Sequence, residues 1–374
     1  MSGGGAWEGA PSPAPRGRVG EGAIPALLLG GSGYVAGELL RLLAGHPWIR
    51  PAAILSESQA GEPVEATFPH LAGCYPGLKF SAREALGELF SGWSGGPLAV
   101  FCGAPHGAAA ALLDQVLAEA EAAGVAARVV DLSADFRFST AEAYEEVYGH
   151  PHGAPGRLAS FACAVPEHLA ETPAGHVAHP GCFTTSVLMA IVPLLKLGLI
   201  EPRISVVATT GSTGSGRTPT ASTHHPARRS NLYAYNPLRH RHAPEMRALA
   251  AAASGVDATI HFIPQSGPYA RGIHATVQAR LVREMPAGEV RAALADFYQN
   301  ARFVDVLGEP PRLQDVAGTN RCRLGVAADG DHLAVFSTLD NLVKGAAGGG
   351  IQWMNRLLSL PEEAGLTQPG LGWI

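Results

Sequence analysis

The sequence predicts a two-domain α/β protein, a Rossmann-like domain followed by an α+β domain on an antiparallel or mixed sheet. Three observations carry that expectation. A glycine-rich turn, Gly30-Gly31-Ser32-Gly33, separates a short apolar run from an amphipathic one. Up to residue 180, short apolar runs alternate with helical patterns, as a parallel sheet with crossover helices requires. Beyond it the runs lengthen and alternate apolar with polar residues, the period of half-buried strands. With 374 residues, 47% of them hydrophobic, the chain also exceeds the roughly 250 to 300 residues at which single cores stop growing.

Residues 1–22, rich in Gly, Pro and Ala, are expected to form a disordered tail. The first domain, 23–180, should hold strands at 26–29, 52–55, 99–102 and 128–132, with helices at 34–45 and 107–123. The second, 181–339, should open on a helix at Cys182. Strands are then expected at 204–209, 258–264, 272–282, 321–328 and 332–338, and helices at 244–253 and 287–300. The stretch 341–358 reads as a helix whose Gly345, Ala346, Ala347 and Gly348 permit close packing, and 340–374 should return to the first domain.

A net charge of −5 with 16% charged residues gives no electrostatic footprint for nucleic acid or an anionic membrane. The cysteines, Cys74, Cys102, Cys163, Cys182 and Cys322, are odd in number and scattered. That pattern fits neither a disulfide framework nor a paired metal motif, and it implies reduced thiols in a cytoplasm. No run reaches the length of a membrane span.

The glycine turn is read as a dinucleotide loop. Gly30 and Gly33 allow a tight turn and close approach to a pyrophosphate, and Ala36 allows tight helix packing. Ser32, Tyr34 and Val35 carry the turn into a helix whose N-terminus favours phosphate charge. At the end of the second strand Glu57 suits a ribose hydroxyl and hence NAD, whereas Ser56 and Ser58 suit the 2′-phosphate of NADP. The local chemistry leaves the two open.

Cys182 stands where a long apolar helix starts, so unpaired N–H groups and the helix dipole should bias its thiol towards thiolate. A thiolate beside a nicotinamide cofactor suits thioester chemistry: attack on an activated acyl carbon, then hydride reduction to an aldehyde. His240 and His242 are the candidate proton-handling groups. If extended, they point to opposite sides and only one reaches the thiol. No metal is expected, because His224, His225, His240, His242 and Cys182 lack the spacing of zinc sites. The stretch 209–217 reads as an anion-binding nest in which Ser215, Gly216 and Arg217 receive an acyl phosphate.

Several blocks in order then carry a family resemblance: Gly30-Gly31-Ser32-Gly33-Tyr34, Asp131-Leu132-Ser133-Ala134-Asp135-Phe136-Arg137, Pro180-Gly181-Cys182-Phe183, Gly214-Ser215-Gly216-Arg217, His240-Arg241-His242-Ala243-Pro244-Glu245, Arg271-Gly272-Ile273 and Asp340-Asn341-Leu342-Val343-Lys344-Gly345. Together they resemble the N-acetyl-gamma-glutamyl-phosphate reductase family of arginine biosynthesis. The resemblance implies NADPH-dependent reduction of N-acetylglutamyl 5-phosphate to the semialdehyde and phosphate by a cytoplasmic homo-oligomer, dimer or tetramer. It implies Cys182 as nucleophile, His240 as acid/base, and His242 and Glu245 as supporting groups. It also implies Pro105, His106, Ser133 and Asn341 along the cofactor cleft, and Arg137 and Arg271 as substrate ligands.

Thr184 and Ser186 depart from the residues usual after the family's cysteine, and Glu57 is unexpected in an NADP-preferring member. The segment 218–229 is similar to the lysine-pathway reductase that acts on a carrier-bound aminoadipyl phosphate, where Arg228 and Arg229 would meet an acidic carrier protein. A dinucleotide-binding redox sensor, needing a reactive thiol but no histidine, is the alternative from another class.

Overall fold

The computed structural model describes residues 22–91, 93 and 95–372; except for Gly22, the expected tail lies outside them. The first half of the chain runs β1 (Ile24–Leu29), α1 (Tyr34–Leu43), β2 (Ile49–Leu55), α2 (Val64–Thr67), α3 (Ala85–Ser91), β3 (Pro97–Cys102), α4 (Ala109–Ala122), β4 (Ala126–Asp131), α5 (Ala141–Tyr148), β5 (Phe161–Cys163) and β6 (His176–Ala178). Its six strands pair in the order β2-β1-β3-β4-β6-β5, all in parallel. β1, β3 and β4 are buried almost throughout, which is why they read as continuous apolar runs rather than alternating ones.

The second half runs α6 (Cys182–Lys196), β7 (Arg203–Thr210), α7 (His225–Arg228), β8 (Tyr233–Ala234), α8 (His242–Ser254), β9 (Thr259–Ser266), β10 (Ile273–Arg280), α9 (Ala287–Phe297), β11 (Val304–Val306), β12 (Cys322–Asp329), β13 (His332–Leu339) and α10 (Gly348–Leu357). The sheet order is β11-β12-β13-β10-β7-β9-β8. Most pairs are antiparallel, but β7 pairs with β9 in parallel. A parallel pair needs a crossover, and the segment holding α7, β8 and α8 supplies it. The sheet is therefore mixed.

β7 and β9 alternate exposed with buried residues, so one face of the sheet is left to cover. α6 covers it: from Phe183 to Leu195 every residue is buried, as expected of a helix hydrophobic all round. This puts Cys182, its first residue, where the second core meets the first domain.

The helix expected over 341–358 begins instead as a π-helical turn, Val343–Ala347, before α10. Close approach explains the small residues there. A Cβ on Gly345 would lie 2.6 Å from the Cys182 Cβ, and one on Gly349 would lie 2.3 Å from the His179 ring. α10 packs on the first sheet, where the Trp353 indole donates to the Ala164 carbonyl at 2.9 Å. Arg271, just before β10, reaches Glu38 of α1 at 2.8 Å and Asp340 at 3.0 Å, so an ion network also ties the two halves together.

Candidate active site

Cys182 opens α6, with Gly181 as an N-cap that has no side-chain cap. The N-cap amide is held by Glu245, whose Oε1 accepts from Gly181 N at 2.7 Å. Glu245 Oε2 faces the Arg137 guanidinium at 3.2 Å, and both side chains are buried. A Cβ on Gly181 would meet His242 Nε2 at 2.6 Å and Arg137 Nη1 at 2.8 Å. Only glycine therefore lets the imidazole and guanidinium close on the residue before the thiol.

The thiol differs from its sequence expectation. Burial pushes Cys182 above the usual thiol range, and the Arg137 charge and the Phe183 amide only partly oppose it. A helix terminus lowers a thiol pKa only while desolvation does not outweigh it, and here the first residue of the helix is half-buried and packs against the core.

The two histidines also differ from the extended reading. His242 is the first residue of α8 and His240 stands just before it, so the helical turn folds their rings together, with centroids 4.7 Å apart. His240 Nδ1 accepts the His242 amide at 3.2 Å, which leaves Nε2 as its uncommitted ring nitrogen. Phe183 and Tyr235 pack edge-on against the His240 ring. Burial, aided by Arg241, lowers His240 to about 4. Burial also lowers His242, whose neighbour Arg137 adds to the effect. Both rings are neutral near pH 7.

On the dinucleotide side, Gly30 has φ +73 and its missing Cβ would lie 2.6 Å from the Ala104 backbone, so this glycine is needed for the turn itself. Gly33 caps α1 without a side-chain bond, and the nearest atom to a Cβ built on it is 3.9 Å away. The space over the first α1 amides is open, as a pyrophosphate requires. Val35 packs against Gly103, while Tyr34 is exposed at the helix start. Ser56 and Ser58 sit together at the end of β2, their hydroxyls 3.5 Å apart. Glu57 Oε1 accepts the Arg83 amide at 3.0 Å, so a local bond already engages one oxygen of the residue that had argued for NAD. Pro105 and His106 form the exposed turn after β3. His106 Nδ1 accepts from Ala134 N at 3.0 Å, and its Nε2 meets Arg241 at 3.1 Å.

Several other expected site residues have partners within the chain. Ser133 is buried; its hydroxyl donates to Asp131 at 2.8 Å and accepts from the Asp135 amide at 3.1 Å, so it braces the loop after β4 instead of facing a ligand. Asn341 likewise bridges two segments, accepting from Gly272 N at 2.6 Å and donating to Thr213 at 3.0 Å. Arg137 is spent on Glu245, and Arg271 on Glu38 and Asp340. Carboxylates neutralise the buried Arg137 and the half-buried Arg271 guanidiniums. Ser215 and Gly216 lie in an exposed turn. Arg217 leaves it for the dinucleotide loop, donating to the Ser32 carbonyl at 3.0 Å with its guanidinium 5.7 Å from the Phe68 ring centroid. Arg228 is buried and bonded to the Gly267 carbonyl, so it is not part of an exposed carrier-docking face.

The sequence reading missed Lys344 and His179. Lys344 is buried against Glu167 at 2.6 Å, and its carbonyl receives the His179 ring at 3.1 Å, which fixes the turn under Cys182. A lysine set among the small and apolar residues at 342–351 was the available signal, since a lysine is fully buried almost only when paired.

Comparisons with known proteins bear on this arrangement. Residues 26–172 match the family model described as semialdehyde dehydrogenase, NAD binding domain, and 182–341 match its dimerisation domain. The N-acetyl-gamma-glutamyl-phosphate reductase of Ectopseudomonas mendocina is 39% identical over 352 residues, covering 92% of this chain and 98% of that one. The enzyme of the same name from Methanopyrus kandleri is 38% identical with the same coverage. Among solved structures, aspartate semialdehyde dehydrogenase II from Vibrio cholerae, complexed with ASA, aligns with a TM-score of 0.64 at 16% identity over 90% of this chain and 98% of that one. The Candida albicans aspartate semialdehyde dehydrogenase with NADP also gives 0.64 at 16%, over 90% and 99%. At that identity the structures speak for the fold alone.

Proposed function

Because the chain belongs to the N-acetyl-gamma-glutamyl-phosphate reductase family, we propose that it reduces N-acetyl-L-glutamyl 5-phosphate to the 5-semialdehyde and phosphate, with NADPH, as a step of arginine biosynthesis. The observation that carries the reading is the thiol at the start of α6, braced through Gly181 by the Glu245–Arg137 pair, with the His240 and His242 rings packed on Phe183, the residue after it.

In this mechanism Cys182 attacks the acyl carbon, the carbon–oxygen bond to phosphate breaks, the thiol's proton leaves with the phosphate, and a thioester holds the acyl group. Held by residues 30–35, a nicotinamide dinucleotide would supply the hydride needed to reduce it. Cys182 then departs as the thiolate, leaving the aldehyde. Arg137 and Arg241 oppose the cost of charging the buried sulfur. His240 is the donor: with Nδ1 accepting an amide, its neutral tautomer carries hydrogen on Nε2, directed to the oxygen that gains negative charge at the acyl carbon. Glu245 and His242 position the N-cap and the neighbouring ring.

Residues 30–35 fit the pyrophosphate, and Pro105 and His106 the wall beyond it. The Ser56 and Ser58 hydroxyls, with Glu57 turned to the Arg83 amide, support NADP over NAD. The dimerisation-domain match supports a homo-oligomer. The redox-sensor reading needs no histidine, so the His240 and His242 rings packed against Phe183, next to the thiol, count against it.

Run in reverse, N-acetylglutamate semialdehyde, phosphate and NADP should generate NADPH absorbance, and Cys182→Ser should abolish it. Unchanged turnover in that variant would refute the covalent step. Faster turnover with NAD would refute the cofactor assignment.

A further inference from the structure

Beside His240 a cleft of about 460 Å³ opens between α5 and the start of α8. Arg239, Arg241 and Arg247 line it, with Phe138, Val147 and Leu238 as its apolar wall and Glu146 as the one carboxylate among its lining residues. Among the described residues, none of the three guanidiniums is in an ion pair. Arg241 meets only the His106 ring, and Arg247 only the Ile260 carbonyl. Arg239 has no side-chain partner. Three cations against one carboxylate leave the cleft strongly electropositive, and the first turn of α8 adds its dipole.

The backbone that presents these groups is strained. Asn236 and Leu238 have φ of 45° and 61°, in the left-handed region that residues other than glycine enter at a cost. Leu238 is 59% exposed, a large apolar side chain held on a cleft wall next to a free guanidinium. Apolar surface interleaved with fixed cations is a receptor for an amphiphilic anion.

We infer that this cleft binds the far end of the acyl substrate, with Arg239 and Arg247 taking its α-carboxylate and Phe138, Val147 and Leu238 taking the N-acetyl group and methylenes. The inference rests on the reductase reading, and it assigns the part of the substrate that the thiol never touches. His240, part of the cleft lining, packs its ring on Phe183, the residue after the thiol, which sets the cleft beside the reacting end of the substrate. A phosphoryl group has no use for the apolar wall, whereas an acetamide does. Guanidinium–carboxylate bonds are charge-assisted and directional, so this end of the substrate sets specificity through KM.

Two paired measurements test it. The first compares N-acetylglutamate semialdehyde with 4-acetamidobutanal, which lacks the carboxylate. Wild type should prefer the former in kcat/KM, and Arg239→Ala should cut that preference roughly ten- to hundredfold through KM, leaving turnover of 4-acetamidobutanal and the Tm unchanged. The second is calorimetric binding of Nα-acetyl-L-glutamine against 4-acetamidobutanamide; only the former should bind, and Arg239→Ala or Arg247→Gln should weaken it tenfold or more. An unaltered preference and affinity in both variants would overturn the site. So would a variant that weakens phosphate while sparing the aldehyde KM, since the cleft would then hold the phosphoryl group. If wild type made no NADPH from either aldehyde while carboxylate-dependent binding persisted, the reductase reading would fail and the site would stand.

Discussion

The Glu245 carboxylate accepts the Gly181 amide at 2.7 Å, so a residue on α8 fixes the N-cap of the helix that begins with Cys182. Its second oxygen neutralises Arg137. One buried carboxylate thus couples the Cys182 helix, the histidine turn and the loop after β4.

Glu245→Gln removes the charge and leaves Arg137 buried without a counter-ion. Losing one member of a buried pair costs roughly 3 kcal/mol. Urea unfolding should show a loss of that order, and kcat should fall with it. Unaltered stability would mean that water already screens Arg137.

Burial holds the Cys182 thiol above its ordinary range. Its alkylation by iodoacetamide in the free enzyme should therefore be slow at pH 7 and still rising at pH 9. A rate plateau below pH 7 would show that the helix terminus outweighs desolvation.

A methyl group on Gly345 would press on the Cys182 Cβ, a contact of 2.6 Å with no flexible end to give way. Gly345→Ala should lower kcat by about a hundredfold, since a displacement of an ångström at a reacting atom costs on that order. Dinucleotide affinity, measured by fluorescence, should stay within twofold. A parallel loss of affinity would instead point to a general collapse of the π-helical turn.

Arg217 of the second domain contacts the Ser32 carbonyl in the dinucleotide loop. Arg217→Ala should weaken NADP binding by roughly tenfold, with a smaller effect on phosphate. If phosphate affinity alone fell, the sequence-based assignment of Arg217 to the acyl phosphate would be restored.

Burial lowers His46 and His168 to about 4 and His179 to about 3. Each stays neutral in the folded protein but takes up a proton on unfolding below its ordinary value near 6.5. The unfolded state thus binds more protons, and stability falls as pH drops from 6.5 towards 4. Each group contributes up to about 1.4 kcal/mol per pH unit. Urea midpoints should drop between pH 7 and pH 5, and His46→Gln should flatten that slope. A midpoint independent of pH would contradict the buried neutral rings.

Much of this molecule was legible in its sequence because the signals were local. Apolar runs of strand length, the Gly30–Gly33 turn and the helix beginning at Cys182 each depend on neighbours a few residues away, and the structure contains all three. The fate of the charged groups was not legible. Arg137, Arg217 and Arg271 all stood in suggestive motifs, yet one neutralises Glu245, one crosses to Ser32 and one ties Glu38 to Asp340. The Cys182 thiol follows the same logic, since a helix dipole is written in local sequence but the solvation that opposes it is not. Sequence determined which backbone segments form and that Cys182 opens its helix. Only the folded chain decided which charges meet and which stay free, because long-range pairing and burial set a group's electrostatic energy and neither has a local code.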